Sequence, residues 1–149
     1  MSLRWREARR EDVPAVVAML ADDVLGQGRE GADLGPYLAA FDAMQAEASN
    51  RLIVGEDDGR VVATYQLTVI SGLSLNAARR AQIEGVRVAS DRRGEGLGAA
   101  LIADAEARAR AAGCRLLQFT SNTSRDRAHA FYERLGFTPS HIGFKRPLE

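Results

Sequence analysis

The chain holds a single cysteine, Cys114, so it can form no internal disulfide. It shows no Cys/His cluster of the kind that binds zinc, and no metal site is expected. It has no excess charge: Lys plus Arg number 20, Asp plus Glu number 20, and the formal net charge is zero. That balance argues against a general nucleic-acid or polyanion binder. Arginines are abundant, but they are interleaved with Asp and Glu rather than gathered in one block. No apolar run approaches a membrane span, and the first residues show no signal-type apolar region. A cytoplasmic protein without a membrane partner is therefore expected. There is no internal repeat and no low-complexity tract. What is present is an ordinary globular mix, 46% hydrophobic and 27% charged, long enough at 149 residues for one domain, 1–149, with a real core.

The stretch Ile83 to Ile102 organises the chain. It begins as a strand carrying Ile83, Val86 and Val88, and ends as an Ala- and Leu-rich helix starting near Leu97. Between them lie Gly94, Gly96 and Gly98, preceded by Arg92 and Arg93. Glycines let main-chain amides approach a ligand closely, and amides at a helix start attract a phosphate or another anion. Three kinds of loop compete for this turn. A Walker loop needs Lys and Ser/Thr after its last glycine, and Ala99 follows Gly98 instead. Gly94-x-Gly96-x-x-Ala99 fits a dinucleotide fingerprint, but Cys114 to Ser121 supplies no acidic residue for the ribose. The third pattern, Arg/Gln-x-x-Gly-x-Gly/Ala, is met by Arg93-x-x-Gly96-x-Gly98.

Around this centre the chain reads as alternating elements. Leu3 to Ala8 is a first strand with Leu3 and Trp5 on one side. Asp12 caps a helix with Pro14 in its first turn and Val13, Val16, Val17, Leu20 and Val24 at helical spacing. Gly26-Gln-Gly28 and Gly31 break that helix. Pro36 opens another, whose stripe Tyr37, Phe41 and Met44 is read as core rather than as a wall of a substrate cleft. Arg51 to Glu56 and Val61 to Gly72 form a hairpin about Asp58-Gly59. Ser71 to Arg80 is looser and polar. After the central helix, which Gly113 ends, Cys114 to Ser121 is a strand. Thr123-x-x-Asp126 resembles a capping box for a last helix that Gly136 ends. Phe137 to Lys145 reads as one or two closing strands, interrupted by Pro139. The expected fold is α/β and layered, in the order β-α-α-β-β-β-α-β-α-β-β.

The last helix carries Ala128-His-Ala-Phe131-Tyr132-Glu-Arg-Leu-Gly136-Phe137. This run and the Arg93-x-x-Gly96-x-Gly98 loop, in this order and with these elements between them, resemble the two motifs of the GNAT family of N-acetyltransferases. The element order is similar over nearly the whole chain, and the residue-level match runs from Ile83 to Phe137. Ser140-His-Ile-Gly-Phe-Lys145, with Glu84-Gly-Val-Arg-Val88, is similar to the small-molecule branch that includes aminoalkylphosphonate acetyltransferases. Some members of that branch use a divalent metal at the acceptor site; no ligand spacing here establishes one.

The resemblance implies a mostly antiparallel sheet with a central splay, helices on both faces, and acetyl transfer from acetyl-CoA to an amine by direct attack in a ternary complex. It implies that the backbone of Val86, Arg87 and Val88 pairs with the pantetheine arm. The amides of Arg93, Gly94, Glu95, Gly96, Leu97, Gly98 and Ala99 would hold the pyrophosphate. Asn122 and Arg125 match positions near the cofactor. An amide near Val88 would serve the carbonyl oxygen, Tyr132 would protonate the departing thiolate, and Glu84 would take the amine's proton, often through water. His129 and water are the competing bases. Tyr132 and Glu84 also read as a packed aromatic and a solvated strand residue. His141 reads as a surface or strand residue, Cys114 as a buried small hydrophobe, and Arg79-Arg80 as solvation of a strand entrance. The expected acceptor is a small primary amine. A peptide or protein acceptor, or an acyl-CoA-binding sensor without turnover, are the alternatives. By analogy with the family a homodimer is expected.

Overall fold

A tight hairpin begins the sheet. In the computed structural model, which describes residues 3–22, 30–31 and 33–148, β2 (Asn50–Asp57) turns through Asp58 and Gly59 into β3 (Arg60–Ile70). Both turn residues have positive φ, 54° and 81°, as a two-residue type I′ turn requires. β1 (Leu3–Glu7) pairs antiparallel with β2, and β4 (Arg80–Val88) pairs antiparallel with β3. β5 (Leu116–Gln118) runs parallel to β4, giving one sheet of order β1-β2-β3-β4-β5. Trp5 lies across Gly55, where an added Cβ would come within 2.8 Å of its ring, so only glycine fits there. Packing divides the chain into two units, Met1–Gln118 and Phe119–Glu149.

Helices cover both faces of this sheet. On one face α1 (Val13–Ala21) and α2 (Gly35–Ala46) bury Val13, Val16, Val17 and Phe41 against Ala8 and Val54. The stripe on α2 is core, as expected: Phe41 is buried and Tyr37 packs against the same cluster. Val24 and the Gly26-Gln-Gly28 break lie outside the described residues. On the other face α4 (Leu97–Ala111) buries Leu97, Leu101, Ala105 and Ala109, spaced by four. Fully buried Tyr65 of β3 donates its hydroxyl to Asp104 of α4 at 2.5 Å. Burial, and then that hydrogen bond, push the Tyr65 hydroxyl far above its ordinary range, so it stays protonated. Asp104 also accepts from Arg108 Nε at 2.8 Å, and Arg108 reaches the Trp5 carbonyl at 3.3 Å. Gly113, with φ 80°, ends α4 as expected, and Arg79 donates to the Ala112 carbonyl at 2.7 Å, which caps that end.

Several expectations need correction. β5 is three residues long, not Cys114 to Ser121, because its partner β4 enters a bulge soon after the last pair, Gln82 with Gln118. Asp12 stands at the N-cap of α1 without capping it. Its carboxylate instead accepts the Arg9 amide at 2.7 Å and two bonds from Arg6, at 2.8 and 3.1 Å. The polar stretch after β3 contains a short turn, α3 (Ser74–Ala77), in which Leu75, Asn76 and Ala77 all have positive φ. In the second unit α5 (Asp126–Arg134) has Arg125 at its N-cap, and the Thr123 capping box does not form. Asn122 takes over, its carbonyl accepting the Arg125 amide at 3.1 Å. Phe137 to Lys145 forms no strand: Pro139 lacks an amide, and no strand among the described residues pairs with this exposed segment. Within the same unit Phe137 meets Phe119 and Tyr132 edge to face, and Phe119 and Tyr132 are tilted against each other with ring centroids 4.3 Å apart.

The Arg6–Asp12 pair ties β1 to the start of α1 almost out of solvent, their side chains being 11% and 8% exposed. Burial alone would raise the Asp12 carboxyl, but the Arg6 and Arg9 hydrogen bonds outweigh it and hold it below the ordinary 3.8. The resulting stabilisation is complete above that pH and is lost as the pH falls through the depressed value in the fold. Asp12→Ala leaves Arg6 with Glu56 as its remaining partner and orphans the Arg9 amide, and is expected to cost about 2 kcal/mol in urea unfolding at pH 7. The difference between variant and parent should shrink toward pH 2; a pH-independent difference would remove the ion pair as its cause.

Candidate active site

β4 is interrupted where the sheet opens. Thr64 pairs with Arg87 and Gln66 with Glu84, so Gly85 and Val86 together oppose the single residue Tyr65. Gly85 takes φ 60°, the sign that favours glycine at such a bulge. Pairing with β5 covers only Arg80, Ala81 and Gln82. Among the described residues no strand pairs with the far edge of β4 beyond that point. The Ala89 amide donates to the Val62 carbonyl at 2.8 Å, toward β3. Amides alternate between edges along a strand, so those of Val88 and Val86 face the unpaired edge. The Val86 carbonyl on that edge already accepts from Arg87 Nη1 at 2.9 Å.

The turn after β4 is braced from outside. Arg92 bridges Asp57 at 2.8 Å and Glu95 at 2.9 Å, so the one acid of the glycine turn is neutralised by a neighbour. Arg60 holds Asp91 through two bonds at 2.7 and 2.8 Å, and its guanidinium keeps the Asp91 carboxyl below the usual range. Arg93 reaches the Asp22 carbonyl at 3.3 Å. Gly94 and Gly96 have φ 83° and 81°, and a Cβ on either would meet no atom of the described residues within 4 Å. Gly96 caps α4 with no side-chain hydrogen bond, and the first turn of α4 carries no acid. Leu97, 2% exposed, anchors the helix start against Met19, Val62 and Ala89. The first intrahelical bond is from Ala100 to the Gly96 carbonyl, which leaves the amides of Leu97, Gly98 and Ala99 for an outside acceptor. Open space, free amides and a helix dipole without a competing acid fit a phosphate-bearing ligand.

The first unit thus gathers Glu84, Val86, Arg87, Val88 and Arg93 to Ala99 along β4 and the turn that follows it. Glu84 is exposed and accepts from Gln82 Nε2 at 2.6 Å. The second unit gathers Asn122, Arg125, His129 and Tyr132. The Asn122 side-chain oxygen accepts from the Ser124 amide and hydroxyl at 3.0 and 2.6 Å. His129 Nε2 lies 2.9 Å from the Asn122 carbonyl, which in the neutral ring places the proton on Nε2. Tyr132 is half-buried among Phe119, Phe131 and Phe137. Burial pushes the Cys114 thiol up, which disfavours a nucleophilic thiolate. His141 is exposed, 2.6 Å from Ser140 Oγ. Among the described residues no group of three or more His, Cys, Asp or Glu is placed to hold a metal ion, and no helix is long and apolar enough to cross a membrane. Sequence reasoning missed Arg92 as the loop's brace, and missed Gln82 and Gln118, which join Glu84. Strand alternation, which puts Gln82 and Glu84 on one face, was the available signal.

A strand with an open edge, an uncapped glycine turn and a helix behind it make a candidate site for a phosphate-bearing ligand, and comparison with known proteins identifies the family. Residues 13–137 match the Acetyltransferase (GNAT) family, and the chain belongs to that family of N-acetyltransferases. It is 29% identical over 143 residues to the aminoalkylphosphonate N-acetyltransferase of Salmonella typhimurium, covering 96% of this chain and 90% of the relative. A crystal structure named as a transcriptional regulator from Bacillus halodurans C-125 is 40% identical, with TM-score 0.93 over 98% of this chain and 99% of that one. Glucosamine-6-phosphate N-acetyltransferase from Arabidopsis thaliana, 18% identical and covering all of both chains, shares the fold at TM-score 0.80. Enzymes of the family use acetyl-CoA as acyl donor.

Gly96→Val would force a branched side chain into positive φ and into the open space over the turn. Acetyl-CoA affinity by calorimetry, measured well below the thermal midpoint, is expected to fall at least about tenfold, while the midpoint itself drops by a few degrees because the left-handed backbone costs a branched residue about 1–2 kcal/mol. Unchanged affinity would remove the turn from the donor site.

Proposed function

We propose that the chain transfers an acetyl group from acetyl-CoA to the primary amine of a small molecule, in a ternary complex, with residues 1–149 acting as one N-acetyltransferase domain. The observation that carries this is the uncapped start of α4 at Gly96, next to the unpaired edge of β4 at Val86 and Val88. The amides of Arg93 to Ala99 hold the pyrophosphate, and Arg125 and Asn122 add contacts to the donor. Val86, Arg87 and Val88 pair with the pantetheine arm as a strand would. The amine loses its proton to Glu84, directly or through water, and its lone pair attacks the thioester carbon. The Val88 amide stabilises the charge that develops on the carbonyl oxygen. The C–S bond then breaks, Tyr132 gives its hydroxyl proton to the sulfur, and the second proton leaving the nitrogen restores the tyrosine hydroxyl, giving the amide and free CoA. The name of the Salmonella relative, an aminoalkylphosphonate acetyltransferase at 29% identity, supports a small amine over a peptide or protein acceptor. A cytoplasmic homodimer belongs to the same reading by analogy with the family.

A second reading has one observation behind it: the Bacillus halodurans neighbour is named as a transcriptional regulator. In that reading the chain binds acetyl-CoA and turns nothing over. Steady-state CoA release and mass spectrometry against an amine panel separate the two, since a regulator yields no acetylated product.

Tyr132→Phe is expected to lower kcat about a hundredfold while acetyl-CoA affinity stays within about twofold. An unchanged kcat would remove its acid role. Glu84→Gln should slow turnover by a similar factor, most severely below the pKa of the acceptor amine, where more of the amine must lose a proton. A pH–rate profile identical to that of the parent would leave water as the base.

A further inference from the structure

Three side chains of the first unit form a chain of hydrogen bonds where the sheet opens. Gln82 and Glu84 precede the bulge on β4, two residues apart and so on one face. Gln118 sits beside Gln82 in the last pair between β4 and β5. Gln82 Nε2 donates to Glu84 Oε1 at 2.6 Å, and Gln118 Nε2 donates to Gln82 Oε1 at 3.0 Å. The direction is unambiguous, because an ionised carboxylate only accepts. Gln82 must turn its nitrogen to Glu84, and its oxygen is left for Gln118. The first bond is short and charge-assisted, the stronger kind. Across the same face Gln66 pairs with Glu84 and Thr68 with Gln82 in the β3–β4 register. Gln66 Nε2 donates to Asn50 Oδ1 at 2.9 Å, so its amide is engaged away from Glu84.

We propose that Gln82 is a positioning residue for the transfer reaction. It holds Oε1 of Glu84, which leaves Oε2 as the oxygen that accepts the amine's proton, and Gln118 orients Gln82 for this task. The inference rests on Glu84 being the base. An exposed glutamate otherwise samples several rotamers, and ordering it only at the moment of reaction costs rate. With Oε1 engaged, the carboxylate is restrained about one oxygen, the other stays open, and the proton has one place to go. Gln118 is the last paired residue of β5, so the relay is anchored at the end of the paired region.

The test is a double-mutant cycle with Gln82→Leu, made alone and in a Glu84→Gln background. The acceptor probe is the fastest amine of a panel that includes aminoethylphosphonate. Gln82→Leu is expected to lower kcat about tenfold with acetyl-CoA affinity unchanged, and to cause no further loss once Glu84 is replaced. Gln118→Leu should show a smaller loss with the same dependence on Glu84, and it carries the test if Gln82→Leu does not fold. Parent-like turnover of Gln82→Leu, or equal losses in both backgrounds, would overturn the relay while leaving Glu84 as base. Parent-like turnover of Glu84→Gln would overturn the base and the relay together.

Discussion

Gly85 and Val86 stand opposite Tyr65 alone, and this two-against-one mismatch shapes the site. A strand with one extra residue bends, and its ladder is locally broken. Here the break falls next to β5, so parallel pairing ends at Gln82 and the amides of Val86 and Val88 face an edge with no strand partner among the described residues. Unpaired strand edges invite an extended ligand to complete them. Tyr65 has a second part. Its buried hydroxyl is bonded to Asp104 on α4, so the residue facing the bulge also fixes the helix whose first amides are open. One side chain thereby links the two halves of the proposed donor site.

The zero net charge conceals a local arrangement. Asp12 and Glu56 both contact Arg6, which joins β1, β2 and the start of α1. Asp57 and Glu95 both contact Arg92, and Asp91 contacts Arg60. The surface pairs at Asp91 are screened and contribute little to stability. Their effect is positional: acids around the glycine turn are matched by arginines, while the first turn of α4 carries none. The positive end of the helix dipole is left as the uncompensated field at that turn.

Local chemistry made most elements legible. Asp58-Gly59 announced its hairpin, Pro36 the start of α2, and Gly113 and Gly136 the ends of α4 and α5, each for a reason contained within a few residues. The glycine turn was legible for the same reason, since positive φ at Gly94 and Gly96 is a backbone requirement that side chains rarely tolerate. Reading failed where another group took the place of the expected partner, or where a strand found none. Asp12 looked like a cap, but Arg6 and the Arg9 amide claim its carboxylate. Thr123 looked like a cap, but Asn122 closes that turn. Phe137 to Lys145 has strand-forming residues, and among the described residues no strand pairs with it.

The amino-acid order by itself determined the α/β class, the strand–turn–helix at Ile83 to Ile102 and the residue types available for acetyl transfer, because periodicity, turn glycines and capping prolines act over a few residues. Tertiary structure alone decided the register. Only pairing with β3 shows that Gly85 and Val86 form a bulge, only pairing with β4 shows that β5 stops at Gln118, and only the placed side chains show that Gln82 turns its amide toward Glu84. Register depends on which residues lie opposite each other across strands far apart in the chain, and no local pattern encodes that.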